Sequence, residues 1–167
     1  AAGVPLKDRP RAAAGAAAHL LERLRFSNLE IRTVGGLVEA SHFPIPEPGD
    51  PVSVRRWAAR VGSDRFPDLL RLLGVGRDEE VRTRLALVAR SVRRDRRLGV
   101  PLAVGELAVD GRALIRAGLR PGPRFGDVLD HVLDEVLVDP DRNDVDWLVE
   151  RGLEVGAEMG MLEGDAG

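Results

Sequence analysis

Apolar residues recur along most of this chain at three- and four-residue spacing, the period of a helix that turns one face to a core. The clearest run is Phe125, Val128, Leu129, Val132, Leu133, Val136 and Leu137, a helix that follows the turn LRPGP and is stopped by Pro140. Pro123 fits the first turn of that helix, where its missing N–H costs nothing. Ahead of the turn, Asp110 is placed to cap a short helix that carries Leu114 and Ile115 inward and closes at Gly118 in the left-handed conformation. Residues 107–143 therefore read as helix, tight hairpin, helix.

The same reading extends to the rest of the chain. Arg11 to Arg25 forms an Ala-rich helix with Leu20, Leu21 and Leu24 on one side. Ser27 and Glu30 have the spacing of a capping box and begin a helix that runs to about Ala40. Gly35 and Gly36 fall inside it, where two glycines predict either a kink or close packing against bare backbone. After His42 the segment FPIPEPGDP places four prolines in nine residues, an ordered loop or linker that divides the body. Ser53 is placed to cap a helix with Val54, Trp57, Ala58 and Val61 inward and Arg55, Arg56 and Arg60 outward. A short helix from Asp64 to Leu73 ends at Gly74. The longest, from about Asp78 to Leu98, has Val81, Leu85, Val88 and Val92 as its apolar stripe. Residues 102–109 read as a short turn. Asn143 is placed to cap a last helix with Val145, Leu148, Val149 and Leu153 inward and Trp147 stapling it to its neighbour.

These elements predict an all-α fold, an irregular multi-helix body followed by a helix-hairpin-helix-like tail. The expected organisation is a poorly ordered lead-in or cut end over residues 1–10, a helical body over 11–98, a helical tail over 99–160 and a frayed end over 161–167. Composition agrees: of 167 residues, 44% are apolar but only 4% aromatic, a core of Leu, Val and Ala. With no Cys, disulfides and thiolate metal sites are excluded, in keeping with a cytoplasmic location. No run is long and apolar enough to be read as a membrane span, and no secretory signal is apparent.

Charge changes the picture more than composition does. A net charge of −2 conceals 13 Arg against 6 acids over residues 55–97, and 2 Arg against 13 acids over residues 127–167. The basic block is the footprint expected of phosphate binding, and the acidic end would repel a polyanion. Arginines in the last turn of a helix are also favourable with its dipole, so each need not be a phosphate contact.

The segment LAVDGRALIRAGLRPGPRFGDVLDHVLDEVLVDPDRN resembles the C-terminal helical region of bacterial tRNA nucleotidyltransferases, the CCA-adding and poly(A)-polymerase-like enzymes. RLRFSN at residues 23–28, the run ending LVEASH at His42, and RRWAARVG at residues 55–62 resemble further pieces in the same order, so the likeness covers most of residues 11–151. One departure lies at Gly111-Arg112-Ala113-Leu114-Ile115, where the family has an Asp in place of Ala113; Asp110 is placed to take over the cap.

What the resemblance implies is an all-helical body and tail that grip the acceptor and T-arm of tRNA while a catalytic head adds nucleotides. The family's Mg²⁺, ATP and CTP belong to that head. Its Gly-Ser and Asp-x-Asp motif, and the Glu-Asp-x-x-Arg that selects the nucleotide, have no counterpart here. This chain is therefore expected to carry no catalytic residues and no cofactor, and to partner tRNA and a nucleotidyltransferase head. Some relatives carry a metal-binding HD phosphohydrolase before RLRFSN. There this chain has Arg11 in place of the first His ligand, and His19, His42 and His131 are read as structural or exposed.

Two surfaces are candidates for RNA. At the hairpin, Arg120, Gly122 and Arg124 lie at the opening of a helix whose N-terminal N–H groups can hold a phosphate, although Pro-Gly-Pro equally serves as a stiff turn between core helices. The second surface is Arg55, Arg56 and Arg60 with the basic helix after them, where contacts would go to phosphates and 2′-hydroxyls and read RNA shape. The alternative is a protein-interaction or dimerisation module, in which the acidic end of one copy docks on the basic block of another.

Overall fold

The computed structural model describes residues 8–62 and 65–162. Among these residues it has eight α-helices and no strand beyond one isolated bridge: α1 (Arg9–Arg23), α2 (Asn28–Ala40), α3 (Pro51–Val61), α4 (Phe66–Gly74), α5 (Glu79–Arg97), α6 (Gly111–Arg116), α7 (Phe125–Val138) and α8 (Val145–Glu158). None of these helices is long and apolar enough to cross a membrane. The fold is all-α, as the periodicity requires. It comprises two units, Ala1–Val92 and Arg93–Gly167, and the division falls inside α5.

In the first unit α1 and α2 pack along one another. Their seam is made of small residues. Ala13, Ala14, Ala17 and Ala18 of α1 are half-buried, and a Cβ on Gly35 of α2 would lie 3.9 Å from the Ala14 carbonyl oxygen. That is ordinary van der Waals distance, so at Gly35 the seam would also admit a Cβ. On the neighbouring face of Gly36, a Cβ would stand 2.9 Å from the Arg65 guanidinium. The capping box forms as its spacing dictates, with Ser27 N–H donating to Glu30 Oε2 at 2.8 Å and Glu30 N–H to Ser27 Oγ at 3.3 Å. The Ser27 hydroxyl, donating to Glu30 Oε2 at 2.7 Å, and then the Ser27 N–H favour the ionised carboxylate and hold the Glu30 carboxyl below its usual range.

The larger core of this unit comes from α3, α4 and α5. Val54, Trp57, Ala58 and Val61 are buried as their spacing predicts, with Phe66, Leu69 and Leu73 of α4, and Leu85, Val88, Ala89 and Val92 of α5. Val81, the first residue of the expected α5 stripe, is only half-buried. Trp57 meets Phe66 edge to face at 5.6 Å. One local expectation is corrected. Asp50 caps α3, accepting from Val52 and Ser53 N–H at 3.1 and 3.2 Å, while Ser53 lies inside the helix and donates its hydroxyl back to Asp50. Pro51 takes the first helical position, which moves the cap upstream of Ser53. The helix α4 ends at Gly74, as expected, and the left-handed residue beyond it is Gly76, at φ 67°. The proposed start at Asp64 lies outside the described residues; the helix is resolved from Phe66.

The second unit is organised by α6, α7 and α8. Val128, Val132, Leu133, Val136 and Leu137 are buried, while Phe125 and Leu129 are half-buried. Asp110 caps α6, its carboxylate accepting from Ala113 N–H at 2.8 Å, and Gly118 closes it at φ 113°. Two buried glycines of α8 let α6 and its turn approach: a Cβ on Gly152 would lie 2.8 Å from Leu114 Cδ2, and one on Gly156 would lie 2.2 Å from Leu119 Cδ1.

Here too some expectations are corrected. Ile115 and Val145 are 39% and 49% exposed, because α6 is under two turns long and buries Leu114 alone, and Val145 opens α8 at the surface. Asp144 caps α8, whereas the Asn143 side chain reaches back to accept from Ala108 N–H at 2.8 Å. Pro123 lies before α7, in a turn closed by Phe125 N–H to Gly122 C=O at 3.0 Å. The end also differs from a frayed tail: Met161 is buried, Arg120 N–H donates to its carbonyl at 2.8 Å, and Leu162 bridges Leu119. Residues 163–167 lie outside the described residues, as do residues 1–7 of the expected lead-in, whose last two residues already belong to α1.

Candidate functional site

Burying Val54, Trp57, Ala58 and Val61 dictates where the arginines of α3 go. Arg56 and Arg60 are exposed, and Arg55 is half-buried. Both Arg55 and Arg56 already interact within the chain. Arg60 is held in place by an aromatic ring, its guanidinium carbon 3.8 Å from the centre of Phe43.

Two cavities flank this Arg60–Phe43 pair. The first, of about 300 Å³, is lined by Phe43, Pro44, Ile45, Pro46, Ser53, Arg56, Trp57 and Arg60, apolar walls with two guanidiniums. Its Trp57 carries an indole N–H that is buried and meets no acceptor among the described residues. The second, of about 250 Å³, is polar, lined by Arg11, Gly36, Glu39, Ala40, Phe43, Arg60, Val61 and Arg65. Arg11, Arg60 and Arg65 outnumber the single Glu39, so its field favours an anion.

The proline-rich loop that walls the first cavity belongs to the first unit and does not divide it. Arg84 of α5 fastens it, Nε donating to the Pro46 carbonyl at 3.2 Å and Nη2 to the Ile45 carbonyl at 2.9 Å, with Glu47 as its ion-pair partner. Prolines supply no N–H to hold such a segment to its neighbours, so a long cation reaching its carbonyls is the available fastening. At the loop's start, His42 Nδ1 lies 2.8 Å from the Val38 carbonyl, a structural role.

The basic helix α5 divides its arginines by task. Arg82 pairs with Glu79 at 2.6 Å, and Arg84 holds the loop. Arg90, Arg93, Arg94 and Arg97 are exposed and fall at i, i+3, i+4 and i+7, one ridge opposite the buried Leu85, Val88 and Val92. Asp95, the carboxylate within that stretch, is buried. Along this face of α5, from Arg90 to Arg97, the charged residues are all cations.

The hairpin arginines are used differently. Arg124 donates from Nη1 to the Met159 carbonyl at 3.1 Å, at the C-terminal end of α8, where a cation meets the negative end of the helix dipole. Arg120 is half-buried, and Gly122 gives its carbonyl to the Phe125 N–H. One of the N–H groups at the mouth of α7 is thus spent inside the turn, and Asp127 stands in its first turn.

In the acidic end, Arg142 and Arg151 both turn to Glu135, at 3.3 and 2.7 Å, with His131 3.4 Å from the same carboxylate. Hydrogen bonds to Glu135 and then Glu154 raise the Arg151 pKa further. Arg142 also lies 5.3 Å from the centre of the ring of Trp147, which stands in the first turn of α8. Among the described residues no group of three or more His, Asp or Glu is arranged to hold a metal ion.

Sequence reasoning named Arg56 and Arg60 but missed Phe43, Arg65, Arg11 and Arg84. The signal available for Phe43 was an aromatic residue directly before a proline-rich loop; nothing local distinguishes Arg84 from the other arginines of α5. Compared with known proteins, the chain matches no family model, no curated protein and no solved structure.

Proposed function

We propose that this chain binds structured RNA through its phosphate backbone, and that its ligand is the acceptor and T-arm region of tRNA, held for a nucleotidyltransferase head of the CCA-adding type. The observation that carries the reading is the α5 ridge of Arg90, Arg93, Arg94 and Arg97, four exposed guanidiniums along one helix face with the neighbouring carboxylate, Asp95, buried. Guanidiniums spaced along a rigid helix suit phosphates along a rigid duplex. Arg56 and Arg60 are exposed cations of the first unit, separate from this ridge. Backbone reading is further supported by the low aromatic content, 4%, which limits base stacking as a general mode. The choice of tRNA comes from the sequence resemblance over residues 11–151.

The test is a titration of the chain with an acceptor–T-arm minihelix at several salt concentrations. Replacing Arg90, Arg93, Arg94 and Arg97 with Gln should weaken binding uniformly across sequences and reduce the salt slope by about one for each phosphate no longer neutralised. Unchanged affinity and slope would refute this surface. A second reading, self-association, has its own support: residues 127–167 hold 13 acids against 2 Arg, more carboxylates than Arg142 and Arg151 can pair with. A solution mass of twice the chain, falling to one on added salt, would favour that reading.

A further inference from the structure

The cavity walled by Phe43, Pro44, Ile45, Pro46 and Trp57 is not needed to grip a duplex backbone. We infer that it is a binding site for a nucleoside monophosphate group, an aromatic base with its phosphate, presented either as an unpaired nucleotide of the bound RNA or as a free mononucleotide. The inference deepens the RNA reading and rests on it for the choice of an aromatic base.

Three features carry it. First, the cavity has the two halves that such a ligand has. Flat apolar side chains form its walls, and the guanidiniums of Arg56 and Arg60 lie at the same cavity, so a base can stack while its phosphate meets fixed positive charge. Its volume of about 300 Å³ lies at the lower end of small-ligand sites, suited to one nucleotide rather than a strand. Second, the site is built in advance. Arg84 holds the loop wall by two of its carbonyls, and the Phe43 ring lies 3.8 Å from the Arg60 guanidinium carbon, so neither wall nor cation must be ordered on binding. Third, two of the lining side chains, Phe43 and Trp57, are aromatic rings, which suit an aromatic base better than a purely aliphatic occupant.

The experiment uses Trp57 as its reporter. The chain has two Trp, so Trp147→Phe leaves Trp57 as the sole indole. That protein is titrated with AMP, adenosine and inorganic phosphate, and separately with an RNA hairpin that is blunt or ends in one unpaired adenosine. The expected result is saturable quenching by AMP, with adenosine and phosphate each at least about tenfold weaker because each meets half of the site. Arg60→Gln should weaken AMP by about tenfold or more by removing a charge-assisted contact. Arg84→Gln should weaken AMP while leaving the blunt hairpin unaffected, since Arg84 holds the wall and does not line the cavity.

If the overhanging adenosine tightens hairpin binding and AMP competes with it, the nucleotide comes from RNA. If AMP saturates but the overhang adds nothing, the site takes a free mononucleotide. Absence of quenching by AMP together with equal binding of both hairpins would overturn the inference and leave the RNA reading standing. Failure of both hairpins to bind at about 50 mM salt would instead overturn the RNA reading, and the AMP titration would then decide the cavity alone.

Discussion

Gly156→Ala adds one methyl group where α8 passes the turn after α6, and the structure sets both sides of its energy. The new Cβ would lie 2.2 Å from Leu119 Cδ1, with Leu119 Cγ at 3.7 Å and Leu162 Cδ2 at 3.9 Å. An ordinary carbon contact is roughly 3.5–4 Å, so Leu119 must move by well over an ångström. It has little room, being fully buried and bridged to Leu162. Overpacking of this kind costs about 1–3 kcal/mol, against about 1 kcal/mol regained from the better helix propensity of Ala. The net expectation is destabilisation by up to about 2 kcal/mol, roughly 4–8 °C in Tm per kcal/mol for a unit of this size.

Gly15→Ala in α1 is the matched control. A Cβ there meets nothing within 4 Å, so the same substitution should stabilise by about 0.5–1 kcal/mol. Guanidinium and thermal melts followed by circular dichroism read both. A double variant with Leu119→Ala should be less destabilised than the sum of the two single changes, because the cavity accepts the added methyl. Stabilisation by Gly156→Ala, or strict additivity with Leu119→Ala, would refute the close packing of α8 on this turn.

Other outcomes follow from individual residues. Leu133→Ala should cost about 2–5 kcal/mol, since its side chain is buried in the core face of α7; an unmoved melting temperature would remove it from that core. Arg25 closes α1 at φ 61°, with Arg25 and Phe26 N–H donating to the Glu22 and Leu21 carbonyls, so Arg25→Gly should raise stability by up to about 1 kcal/mol, and a lowered Tm would contradict the left-handed cap. The Ser53 hydroxyl, and then its N–H, hold the Asp50 carboxyl below its usual range. A depressed folded-state pKa contributes stability above the ordinary carboxylate range, and that contribution is lost as pH falls through the folded pKa. The Tm advantage of the native chain over Asp50→Asn should therefore shrink on acidification from about pH 6 to below pH 3.8, and a gap independent of pH would exclude the ionised cap.

Much of the fold was legible before the structure because helix formation is local. The Ser27–Glu30 box, the Asp110 cap, Gly118 and the α7 stripe are decided within a few residues of one another, where spacing in sequence is spacing in space. Reading failed locally where two polar residues competed for one cap: Asp50 over Ser53, because Pro51 opens the helix, and Asp144 over Asn143, whose amide is drawn to Ala108 some 35 residues away.

The arginines mark the limit more sharply. Periodicity alone put Arg56 and Arg60 outside and identified the basic block, since burying Val54, Trp57, Ala58 and Val61 leaves their directions no choice. It could not tell that Arg84 fastens a loop 38 residues earlier, that Arg124 closes on Met159, or that Arg142 and Arg151 converge on Glu135. A guanidinium on a long flexible stem reaches whichever acceptor folding brings near, and that acceptor is set by how helices pack rather than by neighbours in the chain. By itself the sequence determined the helices, their caps and the basic and acidic blocks. Only the tertiary structure decided which of those charges hold the fold together and which remain exposed.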